Sequence, residues 1–302
     1  MAATAALGRP PRRAGERGLR YLRLTAWAFT LPGILFQFFF GWFPIAVAFM
    51  VAFQKYYLAK PPDWVGFQNF REVLADPLTP TVFGNTLWYA VLALGLTFIV
   101  PIVVSILLME MPPGVIRVMM LLWFLPVAST AGIVIWKYFY NPKLGLANAL
   151  LDRVGLPPQR WLDDPNLAML SLVLPGLILF GPGLVYVASL QGIPEELYEA
   201  AEMEGAGFWR KIWQITLPRL RPVIAMMLIF SVIGALQVFE QPFILTGGGP
   251  GYATTTVVIR VYNLAFNAFD LGRATALAIL LFFAIMSLVV LQRRYFRENL
   301  DD

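Results

Sequence analysis

Six apolar stretches, at about 24–53, 85–109, 115–138, 167–190, 222–245 and 271–292, decide most of what this chain can become. Crossing the hydrocarbon core of a bilayer takes roughly 20 residues of helix, and each stretch is that long. Peptide groups in lipid find no water, so a continuous apolar run must satisfy them along its own backbone, as a helix. Composition agrees: 59% of the residues are hydrophobic and 14% charged, against about 25% charged in a soluble domain. The expected fold is an all-α membrane protein with six transmembrane helices. It reads as one domain, 24–292, between a basic tail at 1–23 and a short tail at 293–302.

The first stretch is too long for the apolar core of a cleavable signal peptide, about 7–15 residues. It reads as a retained span behind a disordered basic tail, its extra length absorbed by tilt or an interfacial start. Pro32, Pro44, Pro101, Pro126, Pro175 and Pro182 fall inside spans. Neighbouring helices can re-satisfy the backbone groups such prolines free, so they suggest kinked helices around a cavity. The chain has no Cys and no His. That removes disulfides, thiolate chemistry, the commonest general base and the usual transition-metal ligand. With the acids mostly in loops, no catalytic constellation forms, and neither a metal nor a nucleic acid is expected as a partner.

Lys and Arg near span ends set topology. With the N-terminus cytoplasmic, 14 of the 23 basic residues lie on the cytoplasmic side and 9 on the other. Both termini, the segment 191–221 and the basic Gln292–Arg297 run are therefore expected in the cytoplasm of a multi-pass protein.

That segment is the most unusual part of the chain. Pro194 and the acids Glu195 and Glu196 suit the first turn of a helix, and Gly205 and Gly207 end it. A second short helix is expected from Phe208, ended by Leu217-Pro218 before the fifth span. Five acids within Glu195–Glu204 would be repelled by an anionic inner leaflet. The small Ala200 and Ala201 permit close approach of another surface, and the acids can meet basic groups at its rim. The segment reads as a docking element for another protein.

Glu199-Ala200-Ala201, three residues, Gly205, nine residues, then Ile215-x-Leu217-Pro218 resembles the EAA signature of ABC importer permeases, matching at all seven fixed positions. "LTGGGPGYATTTVVIRVYNLAF" (Leu245–Phe266), "GFQNF" (Gly66–Phe70), "NTLWYA" (Asn85–Ala90) and the run Leu31–Phe49 are similar to carbohydrate-type permeases of the maltose and glycerol-3-phosphate kind. The large periplasmic insertion and extra spans of the best-known maltose member are absent. The resemblance implies the type I ABC importer permease fold, with a cytoplasmic coupling helix between helices 4 and 5. It also implies two ATP-binding cassette subunits, a second homologous permease forming a heterodimer, and an extracytoplasmic solute-binding protein. Glu199, Ala200, Ala201, Gly205, Ile215, Leu217 and Pro218 would then couple to the ATPase. ATP and Mg would be held by the partner: no G-x-x-x-x-G-K-[ST] loop occurs here, and Gly247–Gly251 reads as a tight outer turn. This chain is expected not to be an enzyme.

Charge inside spans tends to face a polar cavity. Gln237, Glu240 and Gln241, spaced i, i+3 and i+4, are expected on one helical face, with Ser231 and Gly234 further in. At 1.5 Å per residue, Glu240 lies about 27 Å beyond Pro222, near the outer interface. These residues are the expected substrate path. Gln37, Asn85, Ser129 and Thr130 are further polar positions, whereas Trp27, Trp88 and Trp136 read first as interfacial anchors. A sugar is the expected solute. The same architecture could carry a glycerol phosphate or a polyamine, and a secondary carrier would need a mid-membrane ion site that is not visible.

Overall fold

The computed structural model describes residues 14–57, 61–123, 130–178 and 183–300. The expected tail up to Arg13, and the calls on Pro126, Ser129 and Pro182, lie outside them. The chain divides into two compact units, Met1–Val51 and Ala52–Asp302.

The described part of the first unit, from Ala14 on, is one long helical run. Helix α1 (Ala14–Gln37) passes through Pro32, a single π-helical turn spans Phe38–Trp42, and α2 (Phe43–Val51) completes it. The π turn sits just before Pro44. In a regular helix the ring of Pro44 would press on the Phe40 carbonyl and leave it without a donor. The extra residue in the turn opens the ladder there, and Phe43 N–H donates to Phe38 O instead. Phe29 and Phe40 face outward, 81% and 73% exposed, as lipid-facing side chains would.

In the second unit, β1 (Gln54–Lys55) pairs antiparallel with β2 (Asp63–Trp64), Gln54 opposite Trp64. Helices α3 (Gln68–Ala75), α4 (Leu78–Thr97), α5 (Ile99–Met109), α6 (Pro113–Trp123), α7 (Thr130–Phe139) and α8 (Leu146–Arg153) follow. Next come α9 (Pro165–Val173), α10 (Pro175–Ile178), α11 (Gly183–Gln191), α12 (Glu195–Met203) and α13 (Phe208–Lys211). A π turn at Ile212–Thr216 leads into α14 (Leu217–Leu236), and α15 (Glu240–Leu245) and α16 (Val257–Tyr262) succeed it. A last π turn at Asn263–Asn267 precedes α17 (Leu271–Leu300).

Among the described residues, four helical runs are long and apolar enough to cross a membrane: Thr25–Val51, Leu78–Met109, Phe208–Leu245 and Leu271–Phe296. They correspond to the first, second, fifth and sixth expected spans. The third and fourth appear as shorter pieces, α6 and α7, and α9 to α11, on either side of residues 124–129 and 179–182. Prolines mark the breaks that are described. Pro101 has no N–H for the Thr97 carbonyl, and α4 stops at Thr97; Pro175 stands in the same relation to Ser171, and α9 stops at Val173. The two kinks meet: a Cβ on Gly176 would lie 3.0 Å from Thr97 Cγ2.

Ile102, Tyr186 and Met227 form a buried cluster that joins α5, α11 and α14, with Phe98, Ile106, Val223 and Ile224 packed around it. The buried Ser105 hydroxyl donates to Gly183 O at 3.1 Å. Apolar contact alone distinguishes poorly between a neighbouring helix and lipid, so close packing and polar ties of this kind set which helices pair.

One end of the unit is tied by many such bonds. Buried Asn69 donates to Ala52 O and Gln54 O, at 2.8 and 2.9 Å, and Leu271 N–H donates to Tyr56 O at 3.0 Å. Asn85, one of the further polar positions, donates to Tyr252 O and Thr255 O at 2.7 and 3.1 Å. Thr86 Oγ1 accepts from Val257 N–H at 2.9 Å, and Arg260 pairs with Asp76 at 2.5 Å. The glycine turn is as expected: Gly247, Gly248 and Gly251 all have positive φ. Thr246, Thr254 and Thr255 close it through their hydroxyls.

Candidate functional site

The end opposite the threonine knot carries the charged segment. Helix α12 begins after Pro194 with Glu195 and Glu196 in its first turn, and none of its residues is buried. Gly205, at φ +77°, ends it. Gly205 N–H donates to Glu202 O and Ala206 N–H to Ala201 O, both at 2.9 Å. This is the paired closure of a helix C-terminus through a left-handed residue, which glycine adopts without penalty.

The second helix differs from expectation. Leu217-Pro218 does not end it; α13, the π turn and α14 form one continuous run. The reason repeats that at Pro44. Leu217 N–H reaches back five residues to Ile212 O, so the widened turn takes up the missing Pro218 donor and its ring. Glu199, Ala200 and Gly205 are exposed and Ala201 half-buried; Ile215, Leu217 and Pro218 are half-buried where the loop becomes the membrane helix.

Two bonds tie α12 to that run: Tyr198 Oη to Thr216 Oγ1 at 3.0 Å, and Lys211 Nζ to Glu202 Oε1 at 2.6 Å. A cavity of about 460 Å³ lies behind them, lined in part by Glu110, Gln191 and Phe208. Outward, Met203, Trp209 and Trp213 are 90%, 70% and 68% exposed. So large an apolar exposure beside charge marks an interaction surface.

The second site is a polar cavity at the kinks. The helix carrying the expected substrate path breaks after Leu236, so Gln237, Glu240 and Gln241 do not share one helical face, and the 27 Å depth measured along an unbroken helix does not apply. Pro242 cannot donate to Val238 O, and the Thr256 hydroxyl takes that carbonyl at 3.1 Å. The break nevertheless brings the chosen residues together: Ser231, Gly234, Gln237, Glu240 and Gln241 line one cavity of about 450 Å³. Tyr89 and Thr97 from α4 complete its polar lining.

Tyr89 and Thr97 are the polar lining residues the sequence reading missed, and the signal for Thr97 was Pro101, four positions on. A neighbouring cavity of about 230 Å³ shares Tyr89, Thr97 and Gln241, and adds Trp136 and Gly176. Trp136 is thus a lining residue rather than a free anchor, in ring contact with Phe139 and Tyr140. Trp27 and Trp88 are exposed, as anchors would be. Among the described residues, the side chains of Gln237, Glu240 and Gln241 make no hydrogen bond to another group.

Known proteins share this sequence and architecture. The sulfoquinovosyl glycerol transport system permease protein SmoG of Agrobacterium fabrum is 33% identical, across 94% of this chain and 92% of its own length. The trehalose/maltose transport system permease protein MalF of Thermococcus litoralis is 34% identical, across 79% and 81%. Among solved structures, a chain of a bacterial alginate ABC transporter, in complex with an alginate pentasaccharide-bound periplasmic protein, superposes with a TM-score of 0.80. It is 25% identical, and the match covers 96% of this chain and 99% of that one. The sequence model of the binding-protein-dependent transport system inner membrane component matches residues 103–297. On these grounds the chain belongs to the binding-protein-dependent inner membrane transport components, as a permease of the carbohydrate ABC importer kind.

Proposed function

We propose that this chain forms part of the translocation path of an ATP-driven importer of a sugar or oligosaccharide, with six spans and both termini in the cytoplasm. A second, homologous permease supplies the rest of the path. An extracytoplasmic solute-binding protein delivers the cargo, and two ATP-binding cassette subunits, which hold ATP and Mg, drive the cycle. Helix α12 is the coupling element, seated in a groove of the ATPase through Glu199, Ala200, Ala201 and Gly205. Ile215, Leu217 and Pro218 carry its movement into α14.

One observation supports this reading above the others. Helix α12 buries none of its residues, yet it is firmly terminated at Gly205 and bonded to the root of a membrane helix. A helix with no core of its own is too short to persist by propensity alone, and here its free face is small residues rimmed by acids. ATP-driven closure of two ATPase subunits would draw two such helices together. Through the π turn at Ile212–Thr216, that movement would tilt α14 and open or close the polar cavity. Ser231, Gln237, Gln241 and Thr97 offer the amide and hydroxyl groups that bind a hydroxyl-rich solute, and Trp136 and Tyr89 offer apolar faces.

The test is affinity purification of the tagged chain from its native membrane in mild detergent. A P-loop ATPase and a second permease should co-purify, with ATP hydrolysis in the eluate. Recovery of the chain alone, under conditions that hold a known importer together, would refute the assembly.

A further inference from the structure

We infer that the polar cavity selects by charge: it passes uncharged, polyhydroxylated solutes and turns away anionic ones such as uronates and sulfonates. This rests on the importer reading and adds to it a class of cargo. Six polar residues line the cavity: Tyr89, Thr97, Ser231, Gln237, Glu240 and Gln241. Five are uncharged hydrogen-bonding groups and one is a carboxylate; no Lys or Arg is among the described lining.

Among the described residues, no cation is ion-paired with Glu240. Helices α4 and α9, which pack beside the cavity, contain no Lys, Arg, Asp or Glu. Helix α7, packed on α15, brings Lys137, which keeps its charge but is anchored on Ile244 O at 3.0 Å, one turn beyond Glu240, and does not pair with it. Arg260 on α16 is held by Asp76. The basic residues of α14, Arg219 and Arg221, lie at its other end.

An anionic sugar entering here meets the like charge of the exposed Glu240, which no ion pair offsets among the described residues. A neutral sugar meets amides, hydroxyls and one strong acceptor. The alginate importer, by its description, carries an acidic polysaccharide, so a shared fold leaves cargo charge open and this lining decides it. A fully cationic cargo is disfavoured too, because one carboxylate among five neutral groups leaves further positive charges unpaired.

The chain lacks cysteine, so Gln241→Cys places a single thiol in it, beside Glu240. In the assembled importer, its labelling by sulfonatoethyl methanethiosulfonate, an anion, is compared with labelling by the trimethylammonioethyl reagent, a cation. Intact mass of this chain is the readout, and free cysteine in the same buffer is the reference. The cation-to-anion rate ratio should exceed that of free cysteine at least about fivefold, the combined attraction of one reagent and repulsion of the other by a unit charge about 8 Å away under water-like screening. In Gln241→Cys with Glu240→Gln, the ratio should return to the reference. A ratio equal to that of free cysteine, or one that Glu240→Gln leaves unmoved, overturns the inference. Failure of the importer reading shows separately, as labelling of Gln241→Cys that is indifferent to ATP and vanadate.

Discussion

Gly205 separates two explanations that a single substitution would confuse. Its φ of +77° costs an ordinary L-residue about 1–2 kcal/mol, and Asn considerably less, because its side chain bonds locally in that conformation. Space is no constraint within this chain, since a Cβ at Gly205 would meet nothing within 4 Å. Backbone strain alone therefore predicts that Gly205→Ala is worse than Gly205→Asn. Frayed ends of α12 should then be roughly five- to tenfold more populated in the alanine variant, as 1 kcal/mol or a little more implies. If an ATPase groove closes over this turn, the larger side chain is the greater obstacle, and Gly205→Asn is worse than Gly205→Ala. The expected result is the second order, measured as substrate-stimulated ATP hydrolysis and solute uptake in proteoliposomes holding the complete importer. Gly205→Asp should be uncoupled most. Melting of each isolated variant in detergent should stay within a few degrees of wild type, because α12 buries nothing. Alanine proving the more damaging substitution would reduce Gly205 to a helix stop and remove the argument that a partner covers it.

Three further outcomes follow from particular contacts. Gly272→Ala would put a Cβ 2.3 Å from Gln54 O and 2.8 Å from Asn69 Nδ2; overpacking of that kind costs about 1–3 kcal/mol, so melting should fall by several degrees, while Gly84→Ala, with nothing within 4 Å, should not lower it. Tyr198→Phe removes the bond to Thr216, worth about 1 kcal/mol, and should lower substrate-stimulated ATP hydrolysis severalfold with little change in melting; equal stimulation in the two proteins would dismiss the bond as a coupling contact. Burial pushes the Asp76 carboxyl up, but the Leu78 amide and the Arg260 guanidinium outweigh it and hold its pKa below the usual 3.8. A depressed carboxylate stabilises fully above 3.8 and loses that contribution as pH falls through its folded value. The melting gap between wild type and Asp76→Asn, about 1 kcal/mol for a part-exposed pair, should be constant from pH 7 to 5 and close below pH 4.

Run length made the membrane helices legible, because lipid leaves a long apolar run no other backbone solution. It could not show where those helices break or widen. The break after Leu236 arises from Pro242 together with Thr256, fourteen residues further on, which takes the carbonyl Pro242 cannot serve. Half of that cause was visible as a proline within a helical pattern, and the other half is a tertiary contact. Pro218 shows the opposite outcome. Local rules make Leu217-Pro218 a helix end, yet a π turn absorbs the proline and the helix continues. The glycine turn and the helix stop at Gly205 were readable because positive φ and helix closure are local requirements. Asn85 stood out only as a polar position, because its partners, Tyr252 and Thr255, are distant in sequence.

The two ends of the larger unit are built on opposite principles, and the difference bears on how the molecule would work. At the threonine knot, bonds from Asn69, Asn85, Thr86 and Arg260 join segments as far apart as residues 76 and 260, and several are buried. Breaking them would leave polar groups unpaired away from water, which costs about 1–3 kcal/mol each. At the charged end, α12 is fastened by one hydroxyl pair and one ion pair whose glutamate is 60% exposed. Water can replace both at small cost, and exposed pairs of this type contribute about 0–1 kcal/mol. If α12 couples as proposed, a force on it would reach the π turn, where the i→i−5 bond from Leu217 and the missing donor of Pro218 interrupt the regular ladder and let the helix yield. Motion would enter α14 at that point and stop at the knot. Between them lie the Pro101 and Pro175 kinks and the two cavities that Thr97 and Gln241 share.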